Sequence, residues 1–147
     1  MTSEFSLAIH ALVVLSLRGG TVSSELLAKS ICTNPARVRR VLAKLKKDGL
    51  VGTKEGAEGG YQLLESPDQV SLARVARCLD VQFVHTAWRS GEQDMDCLVA
   101  SGMAAVLDDI YAELNGLCYG GVGRLTVADI EKRIHAKKSA DHSPNLN

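Results

Sequence analysis

Residues 34–47, NPARVRRVLAKLKK, constrain the fold more tightly than any other stretch. Val38, Val41, Leu42 and Leu45 recur at the spacing of one helical face, and every charged residue from Arg37 to Lys47 is cationic. Wound at about 100° per residue, the apolar face must be buried, and Ala36, Arg40, Ala43 and Lys47 form the opposite ridge. Arg37 and Lys44 flank that ridge on one side, Arg39 and Lys46 on the other. Six cations thus share eleven positions on a helix whose back is anchored in a core. Small alanines along the ridge let such a surface approach a groove floor closely. Arginine suits bidentate contact with guanine edges or phosphates, and lysine serves phosphate as a point charge. A solvated helix face competes with this reading as long as the charges are taken alone.

The flanking sequence separates the two readings. Residues 3–17 predict a helix that is apolar almost all round, with Phe5, Ile9, Leu12, Val13 and Leu17 on its deepest face and Gly19-Gly20 as its stop. SSELLAKSI follows as a second helix with serine caps, and Glu25 stands near its positive end. The turn CTN leads to Pro35, suited to the first position of the cationic helix, which closes at Asp48-Gly49. In LVGTKEGAEGGYQLLE, Leu50-Val51 and Tyr61–Leu64 flank Gly56, Gly59 and Gly60, predicting a hairpin with a glycine-rich tip. Two helices joined by a tight turn and followed by such a hairpin form the layout of a winged helix-turn-helix. Lys54 at the tip is placed for a phosphate, whereas Glu55 and Glu58 would repel one. From Lys29 to Lys54 the chain holds eight basic residues and one acid, Asp48.

Beyond Pro67-Asp68, SLARVARCLD predicts a short amphipathic helix. Residues 81–95 read as a loop whose Trp88 anchors it to the core. From about Asp96 a long helix begins, with Val99, Met103, Val106, Ile110 and Leu114 at coiled-coil spacing. This stripe is too large an apolar patch to leave exposed, and a second copy of the chain is the expected cover. CYGGVG interrupts the helix, and TVADIEKRIHAKK predicts a last helix capped by Thr126. The expected fold is mainly α (α+β): a winged helix-turn-helix with a two-stranded wing and a long C-terminal dimerisation helix. Its expected organisation is a DNA-binding region over 1–66, a connecting helix and loop over 67–95, the dimerisation and closing helices over 96–135, and a flexible tail over 136–147.

Composition narrows the function. The net charge is zero, yet residues 1–66 carry nine Lys/Arg against six Asp/Glu, and residues 67–147 carry eight against eleven. A basic first half suits a polyanion such as double-stranded DNA. No apolar run reaches the roughly 18 residues of a membrane helix. The apolar start lacks a basic lead and contains Glu4 and His10, so it reads as a helix of a cytoplasmic protein, not an export signal. Four scattered cysteines without a CxxC predict neither a disulfide framework nor a zinc site. His10, His85, His135 and His142 form no ligand spacing. No nucleotide loop or nucleophile elbow occurs, so neither an enzyme nor a bound cofactor or metal is expected.

LAKLKKDGLV at the end of the cationic helix, GxxGGYQL in the hairpin, SLxxVxRCLD after it and the closing LTVADIEK resemble the Rrf-type (Rrf-two) family of bacterial transcriptional regulators. The resemblance spans about residues 3–135. It implies a homodimer binding a palindromic operator through two winged domains. Carried over by position, it places base reading on Asn34, Ala36, Arg37, Arg39 and Arg40; the charge pattern itself puts Lys44, Lys47 and Lys54 on the phosphates. The family's usual wing arginine is replaced by Glu55, which shifts reading onto the helix. Its iron–sulfur branches hold three cysteines close together before the long helix, where this chain has only Cys97. The resemblance is therefore to a cluster-free branch such as CymR. An iron–sulfur regulator and a winged-helix module that docks on protein without binding DNA are the alternatives.

The remaining signal is thiol chemistry. Cys32 precedes the positive end of the cationic helix, and Cys97 begins the long helix; both helix ends favour thiolate, although Asp94 and Asp96 oppose it at Cys97. A Cys32–Cys97 bridge between subunits would move the two DNA-reading helices. The competing expectation is that both thiols simply pack. Cys78, beside Val75 and Leu79, reads as a small buried hydrophobe.

Overall fold

The computed structural model describes residues 2–141. Along the chain run α1 (Thr2–Arg18), α2 (Ser24–Ile31), α3 (Pro35–Lys47), β1 (Val51–Lys54), β2 (Gly60–Leu63), α4 (Leu72–Cys78), α5 (Leu98–Val122) and α6 (Val127–Asp141). Four of the described helices start on side-chain caps. Ser23 Oγ accepts from Leu26 N at 3.2 Å, and Ser71 Oγ accepts from Arg74 N at 3.2 Å. Asn34 Oδ1 accepts from Arg37 N at 2.8 Å, with Pro35 at the first helical position. Thr126 and Asp129 close a reciprocal capping box: Asp129 Oδ2 accepts from Thr126 N at 2.9 Å and Thr126 Oγ1 accepts from Asp129 N at 3.2 Å.

One core joins these elements. Leu12 and Leu15 of α1, Leu27 of α2, and Val38, Val41, Leu42 and Leu45 of α3 are fully buried, together with Val75 of α4 and Val127 of α6. The cationic helix is thus seated by the four residues its periodicity selects. β1 and β2 pair antiparallel from Val51↔Leu63 to Lys54↔Gly60. Val22 adds a further rung, exchanging bonds of 2.8 and 2.9 Å with Tyr61. That rung explains the glycine before Tyr61: a Cβ on Gly60 would lie 2.4 Å from Val22 O. The wing is therefore pinned to the segment between α1 and α2.

Five expectations are corrected. In α1 the buried residues are Leu7, Ala8, Ala11, Leu12, Val13 and Leu15, while Phe5 and Ile9 are half-buried and Leu17 is 54% exposed. A helix apolar on every side carries no phase, so its neighbours choose the face. α5 does not stop at CYGGVG but runs through it to Val122. Glycine costs a helix about 1 kcal/mol, and packing of this last turn outweighs it: Tyr119 Oη donates to Val81 O at 2.8 Å. α6 continues to Asp141, so residues 136–141 of the expected tail are helical; the remainder, with His142, lies outside the described residues. Trp88 is 72% exposed and anchors nothing. Phe83 holds the loop instead, edge-to-face with Phe5 and Tyr119 at 5.3 Å each. Cys78 is half-buried, not fully so, and stands beside the Asp48 carboxylate.

Candidate nucleic-acid interface

The interface is built on α3. Asn34 is spent partly on the cap, leaving its amide NH2 outward. Ala36, Arg40, Ala43 and Lys47 lie exposed along the outer ridge, and Arg37 is half-buried beside it. Arg37, Lys47 and Lys54 have no side-chain partner among the described residues. The other cations are tethered. Lys44 Nζ donates to Glu4 Oε2 of α1 at 2.7 Å, and Arg40 Nη2 lies 3.8 Å from Glu4 Oε1. Arg39 Nη1 donates to Ser24 Oγ of α2 at 3.0 Å and stands 3.7 Å from Glu25. Lys46 Nζ donates to Thr53 Oγ1 of the wing at 2.9 Å. Two acids from neighbouring helices therefore hold Arg39, Arg40 and Lys44, and leave Arg37 and Lys47 of this helix free. Lys44, bonded to Glu4, holds that carboxyl below its ordinary range.

The structure also reveals a residue that the sequence did not single out. Arg74 of α4 donates from Nε to Asp48 Oδ2 at 3.0 Å and from Nη2 to Asp48 O at 3.1 Å, at the end of α3. Its Nη1 reaches both Glu65 oxygens at 2.7 and 2.8 Å, just beyond β2. One guanidinium thus ties the end of α3 to the exit of the wing and to α4. The Cys78 thiol, donating to Asp48, and then Arg74 hold the Asp48 carboxyl below its ordinary range. Burial, and then Asp48, push the Cys78 thiol up to about 12. The signal for this hub was three charges at element boundaries, which gain meaning only once the elements pack.

Cys32 closes α2 in the left-handed conformation, at φ 60°, and Cys97 caps α5; both are exposed, and all four cysteines are free thiols. On α5, Val99 is 61% exposed, Val106 55%, Ile110 43%, Leu114 39% and Met103 36%, and no residue of this helix is buried.

A two-helix unit, a wing pinned beside its second helix and a cationic outer ridge define a winged helix-turn-helix protein. The chain belongs to the Rrf2 family, described as an iron-dependent transcriptional regulator, which it matches over residues 1–133. A relative that carries the name HTH-type transcriptional regulator YwnA, from Bacillus subtilis, is 37% identical over 82 residues. That match covers 56% of this chain and 60% of the relative. A Mycobacterium tuberculosis protein named as an HTH-type regulator, Rv1287, is 27% identical over 88% of this chain and 80% of its own. Among solved structures, a transcriptional regulator from Lactobacillus plantarum superposes with a TM-score of 0.81, at 22% identity, over 97% of this chain and 100% of that one. CymR, the global cysteine regulator of B. subtilis, superposes with a TM-score of 0.66 at 16% identity, over 90% of this chain and 96% of its own.

The donor set of this chain does not fit the iron that the family's description implies. Among the described residues no three His, Cys, Asp or Glu side chains gather where they could hold an ion. Cys97 and Cys118 stand at opposite ends of one helix, about 30 Å apart at 1.5 Å per residue. Cys78 stands at the end of α4, with its thiol pushed up by burial. No described helix is long and apolar enough to cross a membrane.

Proposed function

We propose that this chain is a homodimeric, sequence-specific DNA-binding regulator that acts as a repressor in the cytoplasm. The observation that carries the reading is the exposed ridge Ala36–Arg40–Ala43–Lys47, framed by oriented cations and backed by four fully buried residues. A helix held this rigidly enters a major groove without reordering its backbone, while Arg39, Arg40 and Lys44 exchange Ser24, Glu25 and Glu4 for DNA. Arg37, Arg39 and Arg40 read bases, with Asn34 and Ala36 at the groove floor, and Lys44, Lys47 and Lys54 meet phosphates. The exposed stripe on α5 supports a two-fold dimer, whose symmetry demands a palindromic operator. Cys32 and Cys97 of the second subunit form the proposed redox pair. A two-electron oxidant such as hypochlorite or a diazene takes two electrons and two protons from the thiols as the S–S bond forms. The bridge requires Cα atoms within about 7 Å of each other.

Fluorescence anisotropy on DNA from upstream of its own gene, across a salt series, tests the reading. An arginine that reads a base costs about 1–3 kcal/mol when replaced by alanine, with specificity relaxed at that position. Lys47→Ala weakens all sequences alike and flattens the salt slope by about one unit. A protein-docking module would show neither operator preference nor a steep salt slope.

A further inference from the structure

A cavity of about 530 Å³ lies between the 82–90 loop and α5, within the size range of small-molecule sites. It is preformed. Asn115 of α5 clamps the loop, accepting from Phe83 N at 2.7 Å and Val84 N at 3.0 Å while donating to Val84 O at 2.8 Å. Gly91 brings the loop back against α5 at φ 69°, where a Cβ would fall 2.0 Å from Ala100 O. Val84 and Leu107 supply apolar wall, and Trp88 and Tyr111 supply rings. The fold does not use Trp88, whose indole is 72% exposed at the cavity.

The charges decide the ligand. The titratable lining is Arg89, Asp108, His85 and Tyr111, so the fixed charges are one cation and one anion. Arg89 Nη1 donates to Asp108 Oδ2 at 2.7 Å, and both side chains are more than half exposed. Such a pair is held by no more than about 1 kcal/mol, and it leaves Nε, Nη2 and Oδ1 free. A purely anionic ligand would meet Asp108, and a purely cationic one Arg89. A molecule carrying both charges on neighbouring atoms meets each with its opposite, while an apolar side chain covers Trp88.

We propose that this cavity is an effector site for a free α-amino acid with an aromatic or large aliphatic side chain, its carboxylate on Arg89 and its ammonium on Asp108. The inference rests on the reading of the chain as a DNA-binding regulator and names a signal for it. A contiguous route leads to the DNA side. The cavity loop includes Val84, its neighbour Phe83 packs on Phe5 of α1, and the adjacent Glu4 holds Lys44 and Arg40 of α3. The cavity face of α5, at Ala104, Asp108 and Tyr111, is turned about 120° from the exposed apolar stripe, with Leu107 on the border between them, so ligand and partner subunit are centred on different faces of one helix.

Trp88 is the only tryptophan and lines the site, so intrinsic fluorescence reports on it directly. L-phenylalanine and L-leucine are titrated, with 3-phenylpropionate and phenethylamine as single-charge controls, and heats are measured by calorimetry in parallel. The expected result is saturable binding of the amino acids, with each control and each of Arg89→Gln and Asp108→Asn weaker by about tenfold or more. Ala104→Phe, which fills the cavity, abolishes binding, and circular dichroism checks the fold of each variant. Absence of both heat and fluorescence change up to about 20 mM amino acid, controls that bind equally well, or variants that bind like the parent would overturn the site. Operator affinity is measured on the same samples. Protein that holds its operator but ignores amino acids removes the site alone; protein that binds amino acids but prefers no DNA removes the DNA reading and keeps the site.

Discussion

Replacing Arg74 by alanine removes four hydrogen bonds of 2.7–3.1 Å at once and leaves two carboxylates without their cation. The Arg74 and Glu65 side chains are each 34% exposed and Asp48 45%, so water screens the loss. Hydrogen bonds to charged groups contribute about 1.5–3 kcal/mol when desolvated, and exposed ion pairs about 0–1. The bidentate Glu65 pair and the two Asp48 bonds together then stabilise the fold by about 2 kcal/mol. For a chain of this size that is a fall of roughly 4–8 °C in Tm. Arg74→Lys keeps the charge but loses the planar fork, and recovers less than half of the loss. Melts must be run at one protein concentration, because self-association of the proposed dimer would couple to folding. A double-mutant cycle with Glu65→Ala isolates the pair and should give about 1 kcal/mol of coupling. Operator affinity should fall as well, since the end of α3 and the exit of the wing are no longer held together. An Arg74→Ala protein melting within about 1 °C of the parent, with zero coupling to Glu65, would refute the hub.

Two further outcomes follow from the exposed surfaces. Ile110→Asp puts a charge in the stripe of α5, and sedimentation should show a folded monomer or an unfolded chain; an unchanged dimer would remove this interface. Diamide or mild hypochlorite should yield a covalent dimer on non-reducing gels, lost in both Cys32→Ser and Cys97→Ser, with operator affinity changed in parallel. Oxidised protein that runs as a monomer and binds DNA as before would end the thiol reading.

Much of the fold was legible because local rules and global packing agree. Val38, Val41, Leu42 and Leu45 mark the buried face of α3, and Ser23 and Thr126 mark helix starts that the structure caps, while the caps at Asn34 and Ser71 were not read. What was not legible depends on approaches between distant segments. The phase of α1 is set by what packs on it. The last turn of α5 survives its glycines through contacts with the chain around α4. Glu4 was legible only as an acid in an apolar stretch, and its bond to Lys44 spans forty positions. Arg74 joins residues 26 positions apart at Asp48 and nine at Glu65. The cavity beside α5 depends on where Phe83 and Asn115 hold the loop, and no periodicity encodes that.

The central claim is that two copies of α3 read one face of a duplex. Hydroxyl-radical footprinting of the upstream DNA of the protein's own gene tests it most directly. Two α3 helices related by a two-fold axis predict two protected tracts of inverted sequence, centred about 34 Å apart, one turn of B-DNA, both lost in an Arg37, Arg39 and Arg40 triple-alanine variant that still folds. A single tract, protection indifferent to sequence, or an unchanged footprint with the triple variant would contradict it.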